Sequence, residues 1–155
     1  MAARRFRLLP AYALLDMVNA QDAFDTLRRA ADDGRLDALC ERRGVRLLSV
    51  FDSVLDAAAE PGDLDVGVSF RAGPDLLALI DDLTALTSFD HLDVAVLDGA
   101  DPVLRSEALT GFGLYEDVAG AFAEAQMHAL SERYDTEWLR RLSLKAMAER
   151  SGPAR

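Results

Sequence analysis

Three aspartates in the middle of the chain have the type and spacing of a metal-binding set. Asp63 and Asp65 are two residues apart within one predicted strand, and Asp93 lies within another. Residues two apart in a strand point to the same side, so the first two carboxylates should converge. Asp93 would also point away from the core. If the two strands are neighbours in a suitable register, Asp93 lies beside the pair.

Carboxylates in mutual contact raise one another's pKa, and a cation relieves that repulsion. Hard oxygen ligands suit Mg²⁺ or Mn²⁺. Two such ions about 3.5–4 Å apart would activate an attacking oxygen and stabilise a leaving oxygen in phosphoryl or nucleotidyl transfer. The three aspartates therefore permit this chemistry. A solvated turn in an acidic structural domain is the plain alternative for an Asp-x-Asp run.

The elements that must position these aspartates are readable from the hydrophobic pattern. Residues 45–51 read as a buried strand, residues 63–70 alternate apolar with polar or small side chains, and residues 92–97 supply a third strand. A leucine-rich helix is predicted from residue 76 to about residue 86. The order of strand, helix and strand predicts an α/β sheet.

The flanking regions read as helical. Helices are predicted within residues 11–43, with Gly34 separating the last two. Beyond residue 101 the chain is helical again, broken near residues 111–115, with a final helix over about 135–150. Trp138 lies on an apolar stripe of that last helix, which predicts packing inside the fold or against another subunit and leaves a homo-oligomer open.

Composition limits the class of protein. A chain of 155 residues, half of them hydrophobic, suits a single domain. The net charge of the chain is −10. Residues 51–101 alone hold twelve acids and one base, Arg71, so their net charge is −11. So acidic a surface opposes sequence-independent binding to nucleic acid. Cys40 is the only cysteine, so no internal disulfide forms. With no membrane-spanning or signal-type run, we expect a cytoplasmic protein.

The residues around the aspartates resemble the minimal nucleotidyltransferase (MNT) branch of the polymerase-beta superfamily. In that family a Phe-Gly-Ser turn is followed by Asp-x-Asp on a strand and by a third acid on a later strand. The matching runs here are residues 48–53, 62–66 and 92–97. The resemblance extends to residues 107–116 and to a pair of helices around residues 134–136, which are similar to the family's C-terminal helices.

The resemblance implies a fold and a division of the chain. The fold would be a small mixed β-sheet of the polymerase-beta nucleotidyltransferase type, flanked by helices, with extra helices at the N-terminus and helices at the C-terminus. Residues 1–36 would form the N-terminal helical extension, residues 37–150 the nucleotidyltransferase-like domain, and residues 151–155 a frayed tail.

The resemblance also implies roles for individual residues. Asp63 and Asp65 would hold both metal ions, and Asp93 would help to hold the catalytic one and orient the attacking hydroxyl. Ser53 would touch the triphosphate, and Asp52 and Ser53 would together form the nucleotide-binding position. The reaction would transfer a nucleoside monophosphate, AMP from ATP, to a hydroxyl of a protein or small molecule. An antitoxin-type MNT typically acts on a HEPN toxin, which would be the partner.

Two departures from the family pattern lie on the phosphate side. Asp52 stands where the family has glycine, and Asp56 and Ala57 stand where an arginine and a glycine are usual. Glycine allows close backbone approach, whereas each aspartate adds a negative charge near a triphosphate. Catalysis is therefore left open. The alternative is a nucleotidyltransferase-fold protein without turnover that acts as a binding module or antitoxin.

Overall fold

The structure is a computed structural model that describes residues 18–150, with Arg150 described by its backbone only. Within these residues the helices are α1 (Ala20–Asp32), α2 (Arg35–Arg42), α3 (Leu76–Thr87), α4 (Pro102–Thr110) and α5 (Ala121–Arg150), and a 3₁₀ turn spans Asp52–Leu55. The strands are β1 (Val45–Phe51), β2 (Leu64–Phe70), β3 (Leu92–Val96) and β4 (Phe112–Glu116). The predicted α/β class is confirmed. The predictions for residues 11–17 and 151–155 lie outside the described residues.

The four strands form one mixed sheet in the order β3-β2-β1-β4. β1 is antiparallel to both β2 and β4, whereas β2 and β3 are parallel and are connected by α3. A parallel pair needs a crossover connection, which α3 provides. The helix predicted between the second and third strands therefore has a topological role.

The sheet has a different covering on each face. Leu64, Val66 and Val68 of β2 are fully buried in a core that they share with α1, α2 and α3. The opposite face carries a smaller apolar cluster with α4 and α5, in which Phe51 and Ala108 take part. Because side chains alternate along a strand, Asp65 lies on the face of α4 and α5.

β4 corrects the prediction for residues 107–116. The chain there was expected to be helical with a break, but Phe112–Glu116 forms an edge strand paired with β1. Its entry is tight, since a Cβ at Gly111 would contact the carbonyl oxygen of Val50. Gly111 precedes this short strand and Gly113 lies within it. Because glycine in an apolar run indicates a break, the sequence pattern did not predict a strand here.

α5 corrects the prediction of a helix pair around residues 134–136. Residues 121–150 form one continuous helix, which includes Tyr134. Trp138 is 58% exposed, so it is not packed inside the described part of the fold. The other predicted packing of Trp138, against another subunit, stays a prediction. No helix among residues 18–150 is both long and apolar enough to span a membrane.

Candidate functional site

Asp65 and Asp93 face each other across the parallel ladder of β2 and β3. They are Cα partners, as are their neighbours Leu64 and Leu92. Partners in a parallel ladder point to the same side of the sheet, and the two leucines pack on the core side. The two carboxylates therefore lie on the opposite side, beside each other. Asp63 precedes β2 and is exposed.

The pKa of Asp65 shows that three other carboxylates act on this residue. Partial burial raises the pKa of Asp65 above its usual 3.8, and the charges of Asp63, Asp52 and Asp93 raise this pKa further. No cation is among the groups that shift this pKa. The structure thus pairs Asp65 with Asp93, and the charges of Asp63 and Asp52 also reach Asp65.

The donor chemistry of this group, which we call the aspartate cluster (Asp52, Asp63, Asp65 and Asp93), fits a hard divalent cation. Within residues 18–150, none of the carboxylates of Asp63, Asp65 and Asp93 accepts a hydrogen bond or pairs with a cation. However, no three Asp, Glu, His or Cys side chains of that part of the chain are set to hold a metal ion together. Exposed Asp63 and Asp93 would have to rotate to bring three oxygens to one ion.

The turn after β1 has the backbone of a glycine at a position that aspartate occupies. Asp52 has φ of 63°, in the left-handed region that glycine adopts freely and most other residues avoid. Aspartate is among the few residues that tolerate this region. Asp52 therefore replaces the family's glycine without abolishing the turn, and what it adds is a side chain and a charge.

The remaining residues of this turn differ in their surroundings. Ser53 is half-buried, and its hydroxyl has no hydrogen-bond partner in the described structure. The Asp56 Oδ1 atom accepts a hydrogen bond from the Ala58 backbone N–H at 2.9 Å. Asp56 is therefore engaged in its own loop, and it is absent from the charges that act on Asp65. Of the two aspartates that depart from the family pattern, Asp52 alone contributes to the pKa of Asp65.

A cleft opens beside the same turn, on the side of α4. It has a volume of about 480 Å³ and is lined by Phe51, Asp52, Leu55, Glu107, Thr110 and Gly111. Its ionisable lining residues are acids, so a triphosphate would enter it only with cations to offset the charge. Glu107 and Thr110 were not predicted as site residues, because the α4 sequence carries no motif that would single them out.

α4 is fixed closely against the sheet next to the aspartate cluster. A Cβ at Gly67 would lie 2.9 Å from the Cβ of Ala108 and 2.8 Å from the Ser49 Oγ. Such contacts are too short for a real side chain, so β2 needs glycine two residues after Asp65. Because of this close approach, α4 forms a wall of the site that lies close to the Asp65 side of β2.

A second cavity lies at the other end of β2. It has a volume of about 390 Å³ and is lined by residues that include Arg46, Ser69, Asp98, Arg105 and His128. The Asp98 carboxylate accepts hydrogen bonds from the Ser69 hydroxyl and the Phe70 backbone N–H, both at 2.7 Å. None of the aspartate cluster lines this cavity, so it is separate from the candidate site.

Solved structures with this fold identify its type. One chain of the MntA–HpeT toxin–antitoxin complex, in a variant with two aspartates two positions apart changed to glutamate, matches with a TM-score of 0.57 and 17% identity over 75% of this chain and 98% of that chain. A toxin–antitoxin structure with AMP-PNP matches with a TM-score of 0.57 and 18% identity over 76% and 99%.

A third match is the complex of a tri-AMPylated HEPN toxin from Shewanella oneidensis with its MNT antitoxin, at a TM-score of 0.55 and 17% identity over 78% of this chain and 99% of that chain. The chain has the minimal nucleotidyltransferase fold. At these identities the likeness is one of fold. No family model matches the sequence, and no curated protein matches it. The expected MNT resemblance is thus confirmed at the level of the fold.

Proposed function

We propose that the protein is a nucleotidyltransferase of the MNT type, which transfers AMP from ATP to a hydroxyl group of a protein partner or a small molecule. The observation that carries this proposal is the in-register pairing of Asp65 with Asp93, with Asp63 close enough to raise the pKa of Asp65. Carboxylates in this arrangement are suited to share a divalent cation.

In this proposal Asp63 and Asp65 hold Mg²⁺ or Mn²⁺, and Asp93 completes the ligand set. The bound ions would supply charge stabilisation to the transferring phosphoryl group. The carboxylate of Asp93 would also orient the acceptor hydroxyl, and the unpartnered hydroxyl of Ser53 would contact the triphosphate. The rotation that Asp63 and Asp93 need is available to them, because both are exposed.

The partner that we propose is a HEPN-type toxin. Three observations on relatives of the same fold support it: one structure contains AMP-PNP, another contains a tri-AMPylated HEPN toxin, and a third carries changes at two aspartates spaced as Asp63 and Asp65 are. On this proposal the toxin is the acceptor, and the modification silences it.

Labelling tests the transfer directly. The protein, a co-expressed HEPN-type partner and ATP labelled at the α-phosphate are incubated with Mg²⁺. We expect label on the partner with the wild type and none with Asp65→Asn, while Asp90→Asn, an exposed aspartate outside the aspartate cluster, should label normally. Equal labelling by wild type and Asp65→Asn, or none by either, would exclude catalysis at this site.

A second function is favoured by one observation, the charge of Asp52 at the turn beside Asp65. In this alternative the protein keeps the fold but not the turnover, and it neutralises its partner by binding alone. The complex with the partner would then survive Asp63→Asn, and nucleotide would bind weakly. Loss of the complex in Asp63→Asn would speak against a purely steric role.

A further inference from the structure

The second half of α5 presents apolar side chains that nothing in the described structure covers. Its first half packs on the sheet, where Ala129 is 1% exposed, but every residue from Trp138 to Glu149 is exposed. Trp138 and Leu142 are 58% and 54% exposed. Large apolar side chains left in water at successive turns of one helix mark an interaction surface.

Four residues of this segment share one face of the helix. Asp135, Trp138, Leu142 and Lys145 follow at spacings of three and four, which places them in one row along the helix. Asp135 and Lys145 are exposed, and neither has an ion-pair partner among residues 18–150. We call this row the α5 stripe. The α5 stripe consists of two apolar residues, Trp138 and Leu142, with an unpaired acid before them and an unpaired base after them.

The α5 stripe is complementary to itself when it is reversed. Two copies running antiparallel with residue 140 at the centre would place Trp138 opposite Leu142 and Asp135 opposite Lys145, each pair occurring twice. The wider helix has the same asymmetry, because residues 131–137 hold three acids and one base, whereas residues 139–149 hold three bases and one acid. Antiparallel pairing sets opposite charges together, and parallel pairing sets like charges together.

We propose that the protein forms a two-fold symmetric dimer in which the α5 stripes of two copies pack antiparallel. Such an interface is isologous, since the same surface is used on both copies. A single helical face of this length buries less than about 1,200 Å², so the dimer has a dissociation constant in the micromolar range. The proposal does not depend on nucleotide chemistry at the aspartate cluster.

Sedimentation of the full chain across low micromolar to millimolar concentrations tests the dimer. We expect a reversible monomer–dimer equilibrium. Because Trp138 is the only tryptophan in the chain, its fluorescence should shift to shorter wavelength over the same concentrations as it leaves water. A wild type that stays monomeric throughout would overturn the proposal, as would a dimer that forms without a change at Trp138.

A charge swap tests the register of the pairing. Asp135→Lys and Lys145→Asp alone should each weaken the dimer about tenfold, because two facing pairs become repulsive. The double variant should recover the affinity of the wild type. A double variant as weak as either single variant would overturn the antiparallel register, since its charges would then not face each other.

Two leucines provide a matched comparison of helix faces. Leu142→Glu places a charge in the α5 stripe and should give a monomer at every concentration. Leu144, at 66% exposure, points to the opposite side of the helix, so Leu144→Glu should dimerise like the wild type. Circular dichroism establishes that both variants fold. Equal dissociation in the two variants would overturn the assignment of the face.

Discussion

Asp65 of β2 and Asp93 of β3 are Cα partners, and both carboxylates lie on the face of the sheet where α4 packs. The parallel ladder fixes the separation of their backbones, so repulsion between the carboxylates is relieved only by rotation, protonation or a cation. Each of these routes has a measurable consequence.

We expect Asp65→Asn to stabilise the metal-free protein at neutral pH. Burial and three neighbouring carboxylates raise the pKa of Asp65 above 3.8, so the folded protein holds this proton more tightly than the unfolded chain does. The stability that this proton gives is fully present below pH 3.8 and is lost as the pH rises through the raised pKa. Asp65→Asn should not show this decrease in unfolding free energy as the pH rises. Thermal unfolding in EDTA from acid to neutral pH measures it.

Asp90→Asn is the control for that experiment, because exposed Asp90 does not affect the pKa of Asp65. Added Mn²⁺ should raise the unfolding midpoint of the wild type and of Asp90→Asn, but not that of Asp65→Asn. A full response to Mn²⁺ in Asp65→Asn would place the cation away from the aspartate cluster.

Asp52→Gly should strengthen binding of ATP with Mg²⁺. Glycine accepts the φ of 63° at this position, and the change removes a negative charge that raises the pKa of Asp65. The gain in unfolding free energy should be below about 1 kcal/mol, because the freedom of glycine in the unfolded chain offsets the relief of strain. Calorimetric titration with a non-hydrolysable ATP analogue measures the affinity.

Two variants separate charge from backbone conformation. Asp52→Asn removes the charge and keeps a side chain that tolerates the left-handed region, so it should recover most of the affinity. Asp56→Asn removes an equal charge from a residue engaged with Ala58 and should have little effect. If Asp56→Asn tightened binding as much as Asp52→Gly, the specific role of Asp52 would be wrong.

Gly67→Ala should lower the unfolding free energy by about 1–3 kcal/mol, the usual cost of overpacking. The added methyl group meets the Cβ of Ala108 at 2.9 Å, and α4 must move to admit it. Gly62→Ala is matched to it, since a Cβ there meets nothing within 4 Å. Urea unfolding compares the two. Equal midpoints would mean that α4 is not held closely against β2.

Asp82→Asn should destabilise the protein at neutral pH, because it removes the ion-pair partner of Arg42, the last residue of α2, and of Arg43, which follows it. The Arg43 and Arg42 guanidinium groups lie 2.7 and 3.0 Å from the Asp82 Oδ2 atom and lower the pKa of Asp82 to about 2. The stability from this contact is present above pH 3.8 and is lost as the pH falls through about 2.

Asp81→Asn serves as the comparison, because exposed Asp81 has no ion-pair partner in the described part of the chain. Urea unfolding at neutral pH and at acid pH should show a difference between the two variants only at the higher pH. A difference that persists below the pKa of Asp82 would assign the effect to packing rather than to charge.

The sequence predicted the centre of the sheet well because its signals there are local. Alternation along residues 63–70 and the buried run of residues 45–51 each specify a strand without reference to the rest of the fold. The prediction that Asp65 and Asp93 lie side by side needed only the rule that strand residues alternate and a choice of register, which the structure supplies.

Other features depend on contacts distant in sequence and could not be predicted. β4 is a strand because β1 offers it an edge, which its own five residues do not reveal. Asp52 is the first residue of the 3₁₀ turn that follows β1 directly, and an aspartate at that position does not by itself indicate its left-handed backbone. Trp138 is exposed on α5, although its apolar spacing resembles that of a buried helix.

The alternation of β3 links the position of Asp93 to folding. Leu92, Val94 and Val96 pack against the core formed with α1, α2 and α3, and Asp93 lies between the first two. A slip of one residue against β2 would turn the apolar side chains to water and the carboxylate into the core. The packing of β3 therefore preserves the alignment of Asp93 with Asp65 whether or not the two carboxylates take part in a reaction.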